Sequence, residues 1–563
     1  MPIRSRWQIE VPRISLPTYL FDSPTAPLPT TSALISTANP DNHFLSHAGY
    51  RLWSQRLALG LQRAGLAQGE RVLLFSGNSV FFPVVILGIV MAGGIFTGAN
   101  PSYVVRELAY QLKDSGAKFL ICSEASLATG IEAAKAVGLS EDNVFAFDDG
   151  AATFEGRGKS RGNIRHWTTL LASDDDGRGF AWENQDTDDF LNRTIVLNYS
   201  SGTTGVPKGV MITHRNYVSN CVQGIHVFSL DLEYKAKIAR SRQLCALPMY
   251  HAMGQVLFCF QGPVQRVPIF IMPKFDLIAM LEAAQNFRIT DLLIVPPIIV
   301  AMAKHPATRK FDLSAVERVI SAAAPLGREV CKEFEKLWKN GSVNVKQAWG
   351  LTELTLTGCT FHPATISTSN AVGELAPNCE VRIVSDEDGL HEVKHGERGE
   401  VWIRAPSVMK GYWRNTEATK ETITKDGWLK TGDIGRFDET NHLYIVDRKK
   451  ELIKVKGLQV APAEIESLLL EHPAIADVAI IGVTVKGEEA PRAYAVLQQG
   501  SMATAKEIQD WAAERVSRFK RLTGGVRFVE AIPKNPSGKI LRKVLRDQAR
   551  AEGGDSEPRE SKL

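Results

Sequence analysis

Tyr199-Ser200-Ser201-Gly202-Thr203-Thr204-Gly205-Val206-Pro207-Lys208-Gly209 follows directly on the apolar run Thr194-Ile195-Val196-Leu197. The run reads as a buried strand, and the stretch after it packs hydroxyls, glycines and one lysine into a tight turn. Glycines let backbone N–H groups face an anion with no Cβ in the way, and the Ser and Thr hydroxyls add donors. Lys208 contributes a point charge suited to phosphate, and Pro207 limits the freedom of the chain just before it. Composition alone admits two readings, a phosphate-gripping loop or a solvated Ser/Gly turn. The G-x-x-x-x-G-K-[ST] spacing is not met, because Gly209 follows Lys208. Two other Gly-Lys pairs fail as well: Thr153 stands where Gly158-Lys159-Ser160 needs its first glycine, and Pro533 does so for Gly538-Lys539.

Outward from this stretch the chain alternates helix-like and strand-like patterns. Leu52, Leu59 and Leu61 predict a helix ahead of Gly65, Arg71–Phe75 a strand, and Lys118-Phe119-Leu120-Ile121-Cys122 another. Residues 72–105 carry no charge, and 80–96 are largely apolar. Pro83, Gly88, Gly93 and Gly94 interrupt that segment, so it reads as a strand and a buried helix of an α/β core rather than a membrane span. Such alternation argues for a parallel, doubly wound sheet. Residues 148–189 read as surface loop, and Leu292-Leu293-Ile294-Val295 and Arg318-Val319-Ile320 as further buried strands. Across 373–444 the texture changes to short β-rich pieces, Val381-Arg382-Ile383-Val384 and Glu400-Val401-Trp402-Ile403 among them, punctuated by Gly389, Gly396 and Gly399. A compact α+β segment follows a boundary near residues 448–450.

The 563 residues predict roughly three to four structural units. A net charge of +4 on this length does not suggest nucleic acid. Cys122, Cys221, Cys245, Cys259, Cys331, Cys359 and Cys379 are scattered with no C-x-x-C pair, which indicates neither a zinc site nor a disulfide framework. Met1-Pro2-Ile3-Arg4-Ser5-Arg6-Trp7 has no apolar h-region, so secretion is not expected. Ser561-Lys562-Leu563 matches the peroxisomal address, on a polar tail that would leave it accessible to the import receptor.

Other constellations bear chemistry. Gln347-Ala348-Trp349-Gly350-Leu351-Thr352-Glu353 offers an aromatic for stacking, a glycine for close approach, a hydroxyl and a carboxylate able to hold Mg²⁺. Trp428-Leu429-Lys430-Thr431-Gly432-Asp433 places a carboxylate on a tight turn, either a ribose acceptor or a capped turn. Tyr250-His251 sets one histidine among apolar residues, where a lone histidine is more often structural. In Arg448-Lys449-Lys450-Glu451-Leu452-Ile453-Lys454-Val455-Lys456-Gly457, the alternation puts Lys454 and Lys456 on one strand face, which suits an anion. Pro533-Lys534-Asn535-Pro536-Ser537-Gly538-Lys539 presents Lys539 on a loop braced by proline and glycine.

Taken in order, these segments resemble the core motifs of the acyl-adenylate-forming superfamily, over about residues 45–545. They are joined by Ser321-Ala322-Ala323-Ala324-Pro325-Leu326-Gly327 and Asp447-Arg448. Residues 447–454 and 459–464 are most similar to the 4-coumarate:CoA ligase branch. The resemblance implies an α/β fold: a large N-terminal domain of doubly wound sheets (1–449) with a small β-rich subdomain (about 373–445), a small mobile α+β C-terminal domain (450–550) and a flexible tail (551–563). It implies that a carboxylic acid attacks the α-phosphate of MgATP to give an acyl-adenylate and pyrophosphate, and that coenzyme A then displaces AMP.

By the same resemblance Ser200, Ser201, Gly202, Thr203, Thr204 and Lys208 would hold the β- and γ-phosphates. Ala323, Ala324 and Trp349 would flank adenine, with Gln347 and Gly350 in the same nucleotide site. Thr352 would contact the α-phosphate, Glu353 would carry Mg²⁺, and Asp433 and Arg448 would bind ribose. Lys539 would bridge acyl carboxylate and α-phosphate. Lys450 would be the hinge that exchanges Lys539 for Lys454, Lys456, Gly457 and Gln459 in the thioester half-reaction, with Lys274 contacting coenzyme A. His251 would stand where acyl pocket and pantetheine tunnel meet, and Met253, Leu257 and Gly350 would line the pocket. Trp349 stands where the family most often has tyrosine, and Lys430 where the branch often has histidine. Met253 and Leu257 replace the tyrosine and the small residue of plant coumarate ligases, so the acid expected is a hydrophobic aryl or medium-chain one. A luciferase-type oxygenase and a carrier-loading adenylation enzyme are the alternatives, and a monomer is the favoured state.

Overall fold

The computed structural model describes residues 2–200, 207–339, 341–385, 389–456, 458–485, 487–535 and 538–552. Its first sheet has eight strands, in the spatial order Gly411–Tyr412, Lys208–Thr213, Thr194–Ser200, Ile95–Ala99, Arg71–Phe75, Ala117–Ser123, Val144–Phe147 and Arg165–His166. The strands from Thr194–Ser200 to Arg165–His166 are mutually parallel, and the first two pair antiparallel. Parallel strands covered on both faces need apolar residues at successive positions, and Val72, Leu73, Leu74 and Phe75 are all fully buried. The helix Phe82–Met91 is buried along its whole length. Among the described residues no helix is long and apolar enough to cross a membrane.

Two strands of this sheet, Thr194–Ser200 and Lys208–Thr213, flank the opening stretch. They pair antiparallel, with Ser200 opposite Lys208.

The second sheet runs Val345–Gln347, Arg318–Ser321, Asp291–Ile294, Gln243–Cys245, Ile269–Ile271, Ser32–Ser36 and Phe44–Ser46, parallel except for the last pair. Ser321 and Gln347 close the carboxyl ends of two neighbouring strands, which is where open α/β sheets place their ligands. A third, antiparallel sheet joins Ile3–Arg4, Glu380–Val384, Gly399–Arg404, Leu429–Phe437 and Leu443–Arg448, so the first residues of the chain complete the β-rich subdomain.

Residues 148–189 differ from the surface loop expected of them. They hold the strand Arg165–His166, the short helices Ala151–Phe154, Asp174–Arg178 and Asp188–Leu191, and the turn Trp167–Leu170. Trp167, Phe180 and Trp182 are buried against the main core. Widely spaced aromatics supply this anchoring, and their signal is masked by the Gly, Asp and Arg around them.

Beyond Arg448 the chain builds a separate core. A three-stranded sheet of Ile475–Val485, Glu488–Leu497 and Val526–Phe528 packs with the helices Pro462–Leu469, Ala505–Ala513 and Arg542–Ala551. Ile465, Leu469, Ile480 and Ala493 lie at its centre. Contacts to the larger part are specific. Lys304 Nζ donates to the carbonyl of Leu470 at 3.1 Å and to that of Ile475. The Asp447 carboxylate accepts the backbone N–H groups of Arg448 at 2.7 Å and Ala463 at 2.9 Å, tying the last N-terminal strand to the first C-terminal helix. Burial pushes the Asp447 carboxyl up, with the Arg542 guanidinium opposing it.

Candidate active site

Both stems of the glycine-rich hairpin are fixed from outside. The Tyr199 hydroxyl donates to Asp114 Oδ2 at 2.6 Å, the Tyr110 hydroxyl to the Pro207 carbonyl at 2.9 Å, and Trp413 N–H to the Gly209 carbonyl at 2.7 Å. Ser200 Oγ donates to Glu353 Oε1 at 3.1 Å, and the Tyr412 hydroxyl reaches the same oxygen at 3.1 Å. Lys208 Nζ sits 5.0 Å over the Tyr412 ring. Hairpin, lysine and carboxylate therefore share one wall. Ser201, Gly202, Thr203 and Thr204 lie outside the described residues.

A second wall comes from the antiparallel pairing that sets Asp433 opposite Arg448. Arg448 Nε lies 3.4 Å from Asp433 Oδ1, and Trp349 Nε1 donates to Asp433 Oδ2 at 2.8 Å. The indole thus does more than offer a stacking face, since its N–H orients the buried carboxylate. Gly350 is sterically required, because a Cβ there would stand 1.6 Å from the Leu356 carbonyl oxygen. Ala323 holds φ at +79°, a left-handed conformation that costs an alanine energy and shapes the turn beside Ala324. Gln347 Oε1 accepts the Leu326 N–H at 3.2 Å, while Gln347 Nε2 is buried with no partner among the described residues. That leaves a donor for a ligand. Thr352 opens the short turn Thr352–Leu354, which Thr355 pins by donating from Oγ1 to the Ser407 carbonyl at 2.7 Å.

Lys539 arrives from the C-terminal domain. Asn535 Oδ1 accepts its backbone N–H at 2.8 Å, and a Cβ on Gly538 would come within 2.9 Å of Pro297. Burial and then the Arg448 guanidinium pull the Lys539 ammonium down to about 8, against the attraction of Asp433, Glu451 and Glu353. One lysine thus feels the Asp433–Arg448 pair, Glu353 and Glu451 at once.

Residues 24–413 match the AMP-binding enzyme family, and residues 464–539 match the AMP-binding enzyme C-terminal domain. The chain belongs to the AMP-binding enzyme family. It is 36% identical to 4-coumarate–CoA ligase 1 of Petroselinum crispum, over 97% of this chain and 96% of that one. It is 35% identical to the phenylacetyl-CoA ligase epaB of Aspergillus niger, over 96% and 98%. Among solved structures, ATP-bound MatB of Rhodopseudomonas palustris superposes with a TM-score of 0.79 at 28% identity, over 95% of this chain and 99% of that one.

In this AMP-binding enzyme His251 caps a short helix that runs into a π-helical stretch, Gln255–Gln261. Such wide turns are rare and gather at functional sites. This one is held by a buried amide network in which Gln255 Oε1 accepts from Tyr217 at 2.6 Å and from Asn198 Nδ2 at 3.0 Å, while Gln255 Nε2 returns a bond to Asn198 Oδ1 at 3.0 Å. Met253 and Leu257 are half-buried against the core. Burial lowers His251 to about 4, so its imidazole is neutral, and Nε2 has no partner among the described residues.

Several residues stay apart from this centre. Lys274 is exposed on a surface turn. Lys454 and Lys456 are exposed and alternate with buried Ile453 and Val455. Gln459 Oε1 accepts from Arg398 of the larger domain, Lys450 lies in the turn after Leu443–Arg448, and Gly457 falls outside the described residues. Lys430 Nζ lies 5.0 Å over the Trp402 ring, a packing role. Sequence reasoning missed Tyr412 and the Asn198–Tyr217–Gln255 network. Neither forms a motif, and Tyr412 matters only because folding brings Glu353, 59 residues away, against it.

Proposed function

We infer that this protein is an AMP-forming acid–CoA ligase that activates a hydrophobic aryl or medium-chain carboxylic acid. The observation that carries the reading is Lys539, seated by the smaller domain among Asp433, Arg448 and Glu353. Joining two anions, a carboxylate and a nucleoside triphosphate, requires cations and fixed donors where negative charge accumulates. Asp433 and Arg448 would hold the ribose hydroxyls, with Trp349 keeping the carboxylate in register. Gln347 Nε2 would donate to the adenine edge. Lys208 and Ser200 would steady the departing phosphates, and Lys539 would draw the attacking carboxylate towards the α-phosphate. Glu353 fits a magnesium ion that takes most of its ligands from phosphate, and that ion would neutralise phosphate charge.

Lys539, the exposed Lys454 and Lys456, and the half-buried Gln459 stand on the same small domain, so rotation at Lys450 would exchange them. Coenzyme A would then meet the adenylate beside neutral His251, with Lys274 on its approach. Ser561-Lys562-Leu563 supports a peroxisomal address, which loss of punctate localisation on deleting those residues would test. The enzymatic test is pyrophosphate release that requires acid and MgATP, followed by thioester formation that requires CoA. Lys539→Ala is expected to slow pyrophosphate release by about 10²–10³-fold, the scale of losing one oriented charge-stabilising donor. It should leave thioester formation from supplied acyl-adenylate far less affected. Equal loss of both half-reactions would refute the assigned role.

A further inference from the structure

The chain on either side of Lys539 is paired with itself. Segments 533–535 and 538–541 run antiparallel: Asn535 N–H donates to the Lys539 carbonyl at 2.9 Å, Leu541 N–H to the Pro533 carbonyl at 2.8 Å, and Lys534 stands opposite Ile540. Successive residues of such a pair point to opposite sides. Asn535 and Lys539 therefore share one face, and Lys534 and Ile540 the other. The first face meets the larger domain, where Arg448, Asp433 and Glu353 act on the Lys539 charge. On the second, Ile540 packs against a core of the smaller domain that includes Ala479, Ile481 and Leu545. Lys534 is thereby aimed back at its own domain.

What Lys534 meets there is Asp477. Its Nζ donates to Asp477 Oδ1 at 2.8 Å and to Oδ2 at 2.6 Å, and the two side chains are 20% and 29% exposed. Asp477 lies two residues before Ala479 on the strand Ile475–Val485, so it continues the face on which Ile540 packs. Its Oδ1 also accepts the Val478 N–H at 2.9 Å, which fixes the carboxylate. Downstream of Lys539, Arg542 Nη2 donates to both carboxylate oxygens of Glu466, at 2.7 and 2.8 Å, and Nε to the Ile480 carbonyl at 3.1 Å. Lys539 is thus suspended between two charged anchors, one on the strand Ile475–Val485 and one between that strand and the helix Pro462–Leu469.

Asp477 also faces a second cation. Lys304 of the larger domain holds the Ile475 carbonyl, two residues away, and the Asp477 charge opposes the downward pull of burial on the Lys304 ammonium. One carboxylate therefore lies between a docking lysine of one domain and the lysine-bearing loop of the other. We propose that Asp477 is a positioning residue for adenylation, which through Lys534 sets where Lys539 stands when the smaller domain is docked. The proposal rests on the ligase reading above. In that reading the thioester half-reaction exchanges Lys539 for other residues of the same domain, so it does not depend on the Asp477–Lys534 pair.

The test measures both half-reactions of the full chain by rapid quench. In Asp477→Asn the single-turnover rate of pyrophosphate release at saturating acid and MgATP should fall about tenfold, within the roughly 10²-fold that a misplacement of about 1 Å can cost. The half-saturating ATP concentration should not change, and neither should thioester formation from supplied acyl-adenylate. That second half-reaction needs the same small domain, so its survival also reports that the variant is folded. Lys534→Met should show the same split, and the double variant should be no slower than either single one, because the two residues act through one contact. Equal loss of both half-reactions overturns the proposal, as does full-speed pyrophosphate release in Asp477→Asn or a double variant whose losses multiply. Absence of acid-dependent pyrophosphate release from the natural protein with every acid would instead overturn the ligase reading itself.

Discussion

Lys539 reaches the site with its proton held loosely. A group lowered to about 8 loses its charge as pH rises through that value. If the cation is what adenylation uses, kcat/KM for pyrophosphate release should fall on the basic side of pH ~8, since this parameter reports free-enzyme ionisations. Lys539→Arg should move that limb to higher pH, because guanidinium stays protonated. Trp349 makes a second prediction at this scale. Its N–H to Asp433 is a hydrogen bond to a buried carboxylate, a class contributing about 1.5–3 kcal/mol. Trp349→Phe keeps the stacking face and removes the donor. It should raise KM for ATP by roughly tenfold or more, with a smaller change in KM for the acid; steady-state kinetics with each substrate varied would tell.

At the level of elements, the hairpin and the π-helical stretch do different work. The paired strands Thr194–Ser200 and Lys208–Thr213 set Ser200 opposite Lys208 and are anchored through Asp114, Pro207 and Gly209. The stretch Gln255–Gln261 departs from regular helix just after His251, and Asn198, Tyr217 and Gln255 satisfy one another beside it. A buried network of this kind is costly to break, because its remaining members lose their partners. Gln255→Leu should therefore destabilise the protein by about 2–4 kcal/mol, two stranded polar groups at the usual penalty each, seen as a lowered Tm. A variant as stable as the parent would mean the network is not needed to hold the turn.

For the whole molecule the decisive feature is how the smaller domain is docked. Lys304 holds two of its carbonyls, Asp447 bridges strand and helix across the boundary, and Arg398 binds Gln459. These bonds belong to the arrangement that seats Lys539. Lys304→Ala removes one anchor and should slow adenylation by about three- to tenfold, on the scale of one or two hydrogen bonds. Thioester formation from supplied acyl-adenylate should not slow. Rapid-quench measurement of the two half-reactions separates the cases, and a variant that slows both equally would count against docking as the cause.

The sequence by itself determined the parts whose causes are local. Apolar runs such as those of residues 72–75 and 292–294 became buried parallel strands because that pattern is stable only where both faces of a sheet are covered. The motif residues were legible as chemistry, since glycine, hydroxyl and charge at short spacing limit what a turn can do. Only the tertiary structure decided which of them meet. Ser200 and Glu353 are 153 residues apart, and Trp349 and Asp433 are 84 apart. Their contact depends on the closure of long loops and the packing of three sheets, about which no local pattern carries information. The buried aromatics of 148–189 were unreadable for that reason, because a side chain is buried only by neighbours that folding supplies.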